Sequence, residues 1–496
     1  MNDVPRPGEG TRLGTGVCGL DDVLRGGLPA ARMYLLEGDP GAGKTTLALQ
    51  FLREGVRLGQ RTLYITLSET KQELDAVCRS HGWTLEGIDV HEVSAALIDE
   101  EDNTLFVPGD VELGERAREM LAEVERVGPS RIVLDSCTEL RLLAQSQLRF
   151  RRQLLALKEE LVHRGCTVLL LDNPGAQGGD ALLQSLVHGV IHMEQLSPMY
   201  GAERRRLRVN KLREVHFRGG FHDFVIRRGG LEVFPRLIAA EHREGAEGAA
   251  VASGLSELDD LLGGGLPRSS GTLIMGPAGS LKSSLAILYA AALARSGERV
   301  SLFLFDEGAA TMADRSENLG IPVRQLMKDG LFRVRQVDPA ELSPGEFTHI
   351  IRQEVETAGS RMVVVDSLNG YLHAMAQEQL VALQLHELLS YLRQRGVVTI
   401  LVVALHGLVG QHDAPIDVSY LADNVVLMRY FEAHGRVRRA VSVVKKRSGQ
   451  HEDTIRELAV DGGRLVVGPA LDQFRGVLSG TPVYVGNGDR GQGGPI

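Results

Sequence analysis

The chain has 496 residues, 43% of them hydrophobic, which is too long for one ordinary domain and sufficient for two sizeable cores. Its net charge of -9 provides no overall basic field for sequence-independent binding to duplex DNA, so nucleic acid is not supported as a partner. The four cysteines form no C-x-x-C pair, which gives no indication of a zinc site. The N-terminus has no apolar signal segment, and no stretch approaches eighteen consecutive apolar residues. These two features predict a cytoplasmic protein without a membrane partner.

The first element along the chain is a phosphate-binding loop. Residues 33–36 read as a buried strand, residues 38–45 (GDPGAGKT) fit the pattern G-x-x-x-x-G-K-[ST], and residues 45–52 read as an amphipathic helix. Glycines in such a loop allow consecutive backbone N–H groups to turn toward phosphate oxygens at the helix N-terminus. We expect Lys44 to reach the β- and γ-phosphates of ATP and the Thr45 hydroxyl to hold Mg²⁺.

Acidic residues follow two further predicted strands. Residues 61–66 read as a strand that leads into Ser68 and Glu69, and residues 131–134 as a strand that ends in Asp135. A carboxylate at Glu69 can orient or deprotonate an attacking water molecule, and Asp135 stands where P-loop NTPases place a carboxylate that supports Mg²⁺. The alternatives are an ordinary polar residue after a buried strand for Glu69 and a helix N-cap for Asp135.

Strands and helices alternate in this part of the chain. Residues 71–80 and 150–163 read as helices, and residues 167–171 as a further strand. Continuous aliphatic strands are typical of parallel sheets that helices cover on both faces. The pattern therefore predicts an α/β fold with a mainly parallel sheet flanked by helices, and it predicts ligands at the carboxyl ends of the strands.

The chain contains an internal duplication. The phrase LDDVLRGGLP at residues 20–29 recurs as LDDLLGGGLP at residues 258–267, and the offset of 258 - 20 = 238 residues also relates Lys44 to Lys282. We therefore predict a first unit at residues 1–237, a linker at 238–250, a second unit at 251–478 and a disordered tail at 479–496.

The second copy differs from the first at the loop and at the acidic residues. Its loop, GPAGSLKS, has Leu281 where the pattern has glycine, and a left-handed backbone there would cost Leu about 1–2 kcal/mol. The strand that corresponds to residues 61–66 leads into Asp306 and Glu307, a fuller acidic pair, and Asp366 repeats Asp135. We expect nucleotide binding at Lys282, and the altered loop bears on turnover there.

A basic cluster lies near the end of each unit. Lys211 and Arg213 flank one residue in the first unit, and Lys445 and Arg447 do so in the second. Within one subunit such a cluster is a solvated strand face, whereas in a ring it can stabilise transition-state charge at a neighbour's site. The run RRRLR at residues 204–208 is open to three interpretations: strand-edge protection, a phosphate contact or a weak nucleic-acid patch.

The duplicated LDDxLxGGLP phrase, the two phosphate loops, the SE or DE after the next strand and the Lys-x-Arg triplets resemble the KaiC-like ATPases of the RecA superfamily. The resemblance covers about residues 13–486. It implies two tandem RecA-like P-loop NTPase domains and a homohexameric, two-tiered ring with ATP and Mg²⁺ between neighbouring subunits. Some members are serine/threonine autokinases and autophosphatases, and a signalling protein partner is implied as well.

The resemblance also implies site residues. In the first unit they are Gly38, Gly41, Ala42, Gly43, Lys44, Thr45, Thr46, Ser80 and Asp135, with Lys211, Leu212 and Arg213 reaching the neighbour's ATP. In the second unit they are Gly276, Ala278, Gly279, Ser280, Leu281, Lys282, Ser283, Ser284, Asp366, Arg439, Lys445, Arg447 and His451. The metal ligands implied are Thr45, Ser283 and Asp306, and the residues implied for general-base work are Glu69, Asp306 and Glu307.

Two departures from the family pattern bear on activity. Ser68 stands where the family's leading carboxylate is expected, so hydrolysis in the first unit rests on Glu69. Ser419 and Tyr420 stand where clock members carry a phosphorylated Ser-Thr pair, which makes Ser419 the candidate phosphoacceptor. Two other functions stay open: a DNA-acting RecA-type recombination or helicase motor, and a ring scaffold whose second tier binds ATP without turnover.

Overall fold

The structure is a computed structural model, and it describes residues 11–93, 109–144, 146–173, 181–197, 201–242, 248–373, 378–405, 420–478 and 482–486. The chain divides into two compact units, the first ending at Arg236 and the second beginning at Leu237. Ser419, the predicted phosphoacceptor, lies outside the described residues.

The first unit is built on a nine-stranded sheet. The sheet contains β3 (Met33–Gly38), β4 (Thr62–Thr66), β5 (Ile88–Glu92), β6 (Arg131–Asp135), β7 (Thr167–Asp172), β8 (Gly189–Leu196), β9 (Arg204–Leu212), β10 (His222–Arg227) and β11 (Gly230–Phe234). Two shorter strands that precede them, β1 (Arg12–Leu13) and β2 (Leu28–Pro29), form a separate two-stranded sheet. The helices of the first unit are α1 (Leu20–Val23), α2 (Lys44–Arg57), α3 (Lys71–Ser80), α4 (Gly109–Val127), α5 (Cys137–Leu143), α6 (Gln147–His163) and α7 (Ala181–Leu186). The order of the nine-stranded sheet is β11-β10-β9-β8-β3-β7-β6-β4-β5.

The central strands are buried along their whole length because helices cover both faces of the sheet. Side chains alternate between the faces, so Tyr34 and Leu36 pack in one core with Phe51 of α2. Met33 and Leu35 pack in the opposite core with helices α4 and α6. Each fully buried side chain of this size contributes about 1.5–3 kcal/mol, and two such layers hold the sheet in place.

The second unit repeats this architecture. Its helices are α8 (Ser256–Leu261), α9 (Lys282–Arg295), α10 (Ala309–Glu317), α11 (Val323–Lys328), α12 (Pro344–Glu356), α13 (Leu368–His373) and α14 (Glu378–Gln394), preceded by a 3-10 helix, Ala239–Glu241. Its strands are β12 (Gly271–Gly276), β13 (Arg299–Leu304), β14 (Phe332–Gln336), β15 (Ser360–Asp366), β16 (Val398–Ala404), β17 (Asn424–Ala433), β18 (Arg436–Lys446), β19 (Arg456–Asp461), β20 (Arg464–Ala470), β21 (Phe474–Arg475) and β22 (Val483–Tyr484).

The two sheets have the same topology. The second sheet has the order β20-β19-β18-β17-β12-β16-β15-β13-β14, which matches the first strand for strand. In each sheet six neighbouring strands are parallel and the three at one edge are antiparallel. The predicted α/β class, with a mainly parallel sheet flanked by helices in each unit, is confirmed.

Two segments lie close to the predicted domain limits. Leu237 and Ala239 are buried among side chains of α12 and α14, so the chain joins the core of the second unit directly after Arg236. Within the predicted tail, β22 pairs with β21. Among the helices of the described residues, none combines the length and the apolar composition needed to cross a membrane.

Candidate functional site

The first phosphate loop joins the end of β3 to the start of α2. Gly41 and Gly43 have φ values of +82° and +99°, which is the left-handed region that favours glycine. A Cβ on Gly43 would also lie 2.5 Å from Cδ1 of Ile226 on β10, so there is no room for a side chain. Because Gly43 has no side chain to cap α2, the N–H groups of the first turn are suited to an anion.

Lys44 and the carboxylates of the first unit meet at the carboxyl ends of β3, β4 and β6. The Lys44 ammonium donates hydrogen bonds to the carbonyl oxygens of Gly38, at 2.6 Å, and Asp39, at 2.9 Å. Burial lowers the pKa of Lys44, and the nearby charge of Asp135 opposes that shift. The lysine is thus a partly desolvated cation at the loop, and such a cation is suited to binding phosphate.

Glu69, Asp135 and Thr45 form a cluster of oxygen donors. The Thr45 hydroxyl hydrogen-bonds to Glu69, and Tyr64 Oη donates to Asp135 Oδ2 at 2.6 Å. Within the described residues, Glu69 Oε2 is buried and has no hydrogen-bond partner. Burial, with the charge of Asp135 as the second cause, raises the pKa of Glu69 to about 7, and burial raises the pKa of Asp135 as well.

This donor set fits Mg²⁺. The ion prefers carboxylate and hydroxyl oxygens, and a cation at Thr45 and Asp135 would offset the desolvation of the buried Asp135 carboxylate. Thr45 and Asp135 are the residues that would hold it, with Glu69 next to them. Ser68 is exposed and does not join the cluster.

The predicted residues around this cluster lie in and beside the first turns of α2. Ala42 and Thr46 are buried in the loop and the first turn. Ser80 ends α3, is exposed, and donates a hydrogen bond through Oγ to the carbonyl oxygen of Val77 at 2.7 Å. The next residue, His81, lies with Nε2 at 3.3 Å from Thr46 Oγ1.

The second phosphate loop keeps the backbone shape of the first with a different residue. Gly279 and Leu281 both have φ of +75°, so Leu281 takes the left-handed conformation that Gly43 takes in the first loop. Val460 on β19 is the structural equivalent of Ile226 on β10. Each lies in the second pair from the turn of its hairpin, with Leu465 and Leu231 as the respective partners. Valine lacks the Cδ1 atom that excludes a side chain at Gly43.

The lysine and serines of the second loop are more deeply enclosed. Lys282 donates to the carbonyl oxygen of Pro277 at 2.7 Å, and burial lowers its pKa to about 8. Ser280 and Ser284 are buried, and Ser280 Oγ has no hydrogen-bond partner within the described part of the chain. The partly desolvated Lys282 ammonium at the start of α9 suits a phosphate group.

Arg439, which the family resemblance assigns to the nucleotide, contacts the loop of its own unit. Its Nε donates to the carbonyl oxygen of Gly279 at 3.1 Å, and Tyr430 Oη donates to that of Ala278 at 2.9 Å. Both contacts fix the loop backbone. The corresponding strand pair in the first unit is Gln195 and Arg205.

The carboxylates of the second unit have different partners from those of the first. Ser283 hydrogen-bonds to Asp366, whose pKa is raised by burial, and Ser367 Oγ donates to Asp306 Oδ2 at 2.5 Å. Glu307 forms an ion pair with Arg315, Nη1 to Oε2, at 2.9 Å, although burial still raises its pKa. Both carboxylates of the acidic pair, Asp306 and Glu307, therefore have partners within their own unit.

The basic triplets lie at the far end of the sheet from their own loops. The backbone N–H of Arg213 donates to the carbonyl oxygen of His188, and the N–H of His188 donates to that of Met33. Met33 is at the amino end of β3, whereas the phosphate loop follows the carboxyl end of β3. Arg447 stands in the same way at the amino end of β12, through Asp423. Each strand spans six residues, which separates its ends by about 17 Å. The triplets cannot reach the loop of their own unit.

The side chains of the triplets contact neighbouring backbone. Lys211 donates to the carbonyl oxygens of Gln184 and Val187, both at 2.8 Å, and Arg213 donates to that of Ser185 at 3.1 Å. Leu212 is buried, Lys445 pairs with Val425 on β17, and Arg447 donates to the carbonyl oxygen of Tyr420 at 2.7 Å. His451 is half-buried in the loop after β18.

Three residues that contribute contacts at the two sites lie outside the sequence motifs. They are Tyr64, which hydrogen-bonds to Asp135, Tyr430, which holds the second loop, and Arg315, which pairs with Glu307. The 238-residue offset is a usable signal for two of them, because it sets Tyr64 against Leu302 and Arg315 against Val77. Such unequal pairs beside a shared motif mark where the two sites differ.

Comparison with known proteins decides the family. A family model described as KaiC ATPase matches residues 13–238 and 251–471. The chain belongs to the KaiC ATPase family. The resemblance inferred from the motifs is confirmed, and with it two tandem RecA-like domains and a P-loop ATPase that binds ATP.

Curated relatives match along nearly the whole chain. It is 26% identical over 483 residues to the circadian clock protein KaiC3 of Synechocystis sp., covering 95% of each chain. It is 24% identical over 483 residues to the circadian clock oscillator protein KaiC of Picosynechococcus sp., covering 96% of this chain and 93% of the relative. The KaiC of Thermostichus vulcanus is 25% identical over 482 residues, with 96% and 92% covered.

Proposed function

We propose that this KaiC-type ATPase hydrolyses ATP in its first unit with Glu69 as the general base. The observation that carries the proposal is the Glu69 carboxyl beside Thr45 and Asp135: its Oε2 is buried without a hydrogen-bond partner among the described residues, and its pKa is raised to about 7. A general base is most effective when its pKa lies near the working pH. Glu69 is in that range, and it lies in the same cluster as the residues that would hold the metal.

The residues of the first site have separate roles in ATP hydrolysis. The backbone N–H groups of the loop and the Lys44 ammonium would bind phosphate oxygens, and Thr45 and Asp135 would hold the metal. When bound, Mg²⁺ supplies charge neutralisation on the phosphates. Glu69 orients the attacking water and accepts its proton, and its burial keeps the carboxylate desolvated.

Substitutions that separate the two units test this assignment. In the Lys282→Ala protein only the first loop is intact, and we expect it to retain ATPase activity. In the Lys44→Ala protein we expect most of the hydrolysis to be lost. Activity that is lost with Lys282→Ala and kept with Lys44→Ala would overturn the assignment to the first unit.

We further propose that the protein acts as a homohexamer with ATP between neighbouring subunits. The support is geometric: Arg213 and Arg447 lie at the amino ends of β3 and β12, strands about 17 Å long whose carboxyl ends carry the loops, so an active role requires the loop of another copy. Native mass spectrometry with ATP should give a hexamer. Mixing the Lys44→Ala and Arg213→Ala proteins should restore activity in part, because some interfaces then combine an intact loop with an intact Arg213. A monomer with ATP, or no complementation, would contradict the ring.

For the second unit we propose phosphoryl transfer to protein, with Ser419 as the acceptor. Two observations support it: Asp306 and Glu307 place two adjacent carboxylates after β13, where the first unit has Ser68 and Glu69, and the relatives are named circadian clock proteins. The protein would then serve as a cytoplasmic signalling or timing switch with a signalling protein as partner. Incubation with γ-labelled ATP and mapping by mass spectrometry should find phosphate on Ser419, and should lose it in Lys282→Ala. An unlabelled Ser419 would overturn the kinase activity.

The DNA-motor alternative gains no support from the basic run on β9. Arg206 pairs with Glu194 at 2.7 Å and stacks on Phe221 at 4.0 Å, and Arg208 also contacts that ring, so these cations have partners within the unit. DNA-stimulated, salt-sensitive ATPase activity would favour the motor. The scaffold alternative predicts that the second unit of the Lys44→Ala protein binds ATP and transfers no phosphate.

A further inference from the structure

Arg315 lies in the second site although no sequence motif includes it. It is on α10, the helix that follows Glu307, and its side chain turns back so that Nη1 contacts Glu307 Oε2 at 2.9 Å. Its charge also acts on the buried Asp366 carboxyl, which hydrogen-bonds to Ser283 at the start of α9. Arg315 is therefore within reach of the residues that surround the second phosphate loop.

The guanidinium of Arg315 has two donor atoms for which the described residues supply no acceptor. Nε and Nη2 are buried and lack a hydrogen-bond partner among the described residues. A guanidinium carries five N–H donors in a rigid, planar fork, and burying donors without acceptors is unfavourable. The fork matches the spacing of oxygen atoms on a phosphate, which would satisfy these donors together.

The first unit has no counterpart of this arginine. The offset of 315 - 77 = 238 sets Val77 against Arg315, and the two residues stand on the equivalent helices α3 and α10. Val77 packs against the hydrophobic core, and Glu69 keeps an unpaired buried oxygen. An arginine beside the acidic pair is thus specific to the second site.

We propose that Arg315 binds the terminal phosphate of ATP in the second site, exchanges its Glu307 contact for phosphate oxygens, and thereby distinguishes ATP from ADP. The inference rests on the proposed function, because it requires ATP at Lys282. It deepens that function by giving the second site a residue that reads the third phosphate. Release of Glu307 then accompanies binding of the triphosphate and does not accompany binding of the diphosphate.

The test measures binding, so it does not depend on turnover. In the full-length Lys44→Ala protein, nucleotide binding is confined to the second unit, and calorimetry with Mg²⁺ gives the Kd of ATPγS and of ADP. Arg315→Met should weaken ATPγS binding about 10-fold or more, the magnitude of lost charge-assisted hydrogen bonds, and change ADP binding less than about 2-fold. Arg324→Met is the matched control, because Arg324 pairs with Asp314 and Glu317 on the exposed surface.

A second pair of variants tests the exchange itself. Glu307→Gln removes the carboxylate that competes for the guanidinium, so ATPγS should bind about 3-fold or more tightly, and the gain should vanish when Arg315→Met is added. Arg315→Lys keeps the charge without the fork and should recover only part of the ATPγS affinity.

Each outcome has a defined meaning. If Arg315→Met weakens both nucleotides equally or neither, or if the Glu307→Gln gain survives in the double variant, the role of Arg315 is overturned while the second site stands. If the Lys44→Ala protein binds neither nucleotide, the proposed second site fails, and the inference fails with it.

Discussion

Replacing Gly43 by alanine should destabilise the first unit by about 2–3 kcal/mol. Gly43 has φ of +99°, and an L-residue in the left-handed region costs about 1–2 kcal/mol. The new Cβ would lie 2.5 Å from Ile226 Cδ1, so Ile226 must leave its rotamer, at a further cost of about 1 kcal/mol. Both terms follow from the geometry of one loop and one side chain.

The single tryptophan of the chain makes this measurable in one unit. Trp83 belongs to the first unit, where its ring packs 4.7 Å from the His81 ring and closes the space above Gly230. Its fluorescence during urea unfolding, without nucleotide, therefore reports on the first unit. With an m-value of about 2–3 kcal/mol/M, the midpoint should fall by roughly 1 M.

Ile226→Val is the matched control, because the second unit has Val460 at this strand position and accepts Leu281 in its loop. Added to Gly43→Ala, it removes Cδ1 and should recover about 1 kcal/mol relative to the sum of the two single substitutions. An unchanged midpoint in Gly43→Ala would refute the reasoning about the left-handed loop. Strict additivity in the double variant would refute the contact with Ile226.

A further prediction concerns the pH dependence of the first unit. Burial lowers the pKa of His222 from 6.5 to about 4, so as the pH falls the unfolded state takes up a proton before the folded state does. About 3 kcal/mol of stability that is present above pH 6.5 should therefore be lost between pH 6.5 and pH 4. His222→Gln should reduce this loss in Trp83-monitored urea titrations, and an identical pH profile would contradict the attribution.

Local sequence patterns were sufficient for the fold. The aliphatic runs that became β3, β4, β6 and β7 predicted buried parallel strands, because burial on both faces removes the polar alternation of an exposed strand. The 238-residue offset predicted a second copy, and the two sheets have the same strand order. Phosphate-loop motifs carry their own backbone requirements, so the position of Lys44 before α2 followed from the sequence as well.

Side-chain contacts between residues on different elements could not be predicted from local sequence patterns. Asp306 and Glu307 read as a fuller acidic pair than Ser68 and Glu69, yet in the structure Glu307 contacts Arg315. That contact depends on where α10 places Arg315 relative to the residues that follow β13, which no residue spacing encodes. The pairing of Tyr64 with Asp135 joins neighbouring strands in the same way.

The central claim, that the first unit hydrolyses ATP with Glu69 as the base, is tested most directly by phosphate release from the Lys282→Ala protein with and without Glu69→Gln. Glutamine preserves the size of the side chain and its contact with Thr45 but accepts no proton. We expect kcat to fall about 100-fold or more while the Kd for MgATP changes less than about 3-fold. A Glu69→Gln protein that releases phosphate at the rate of its parent would contradict the account.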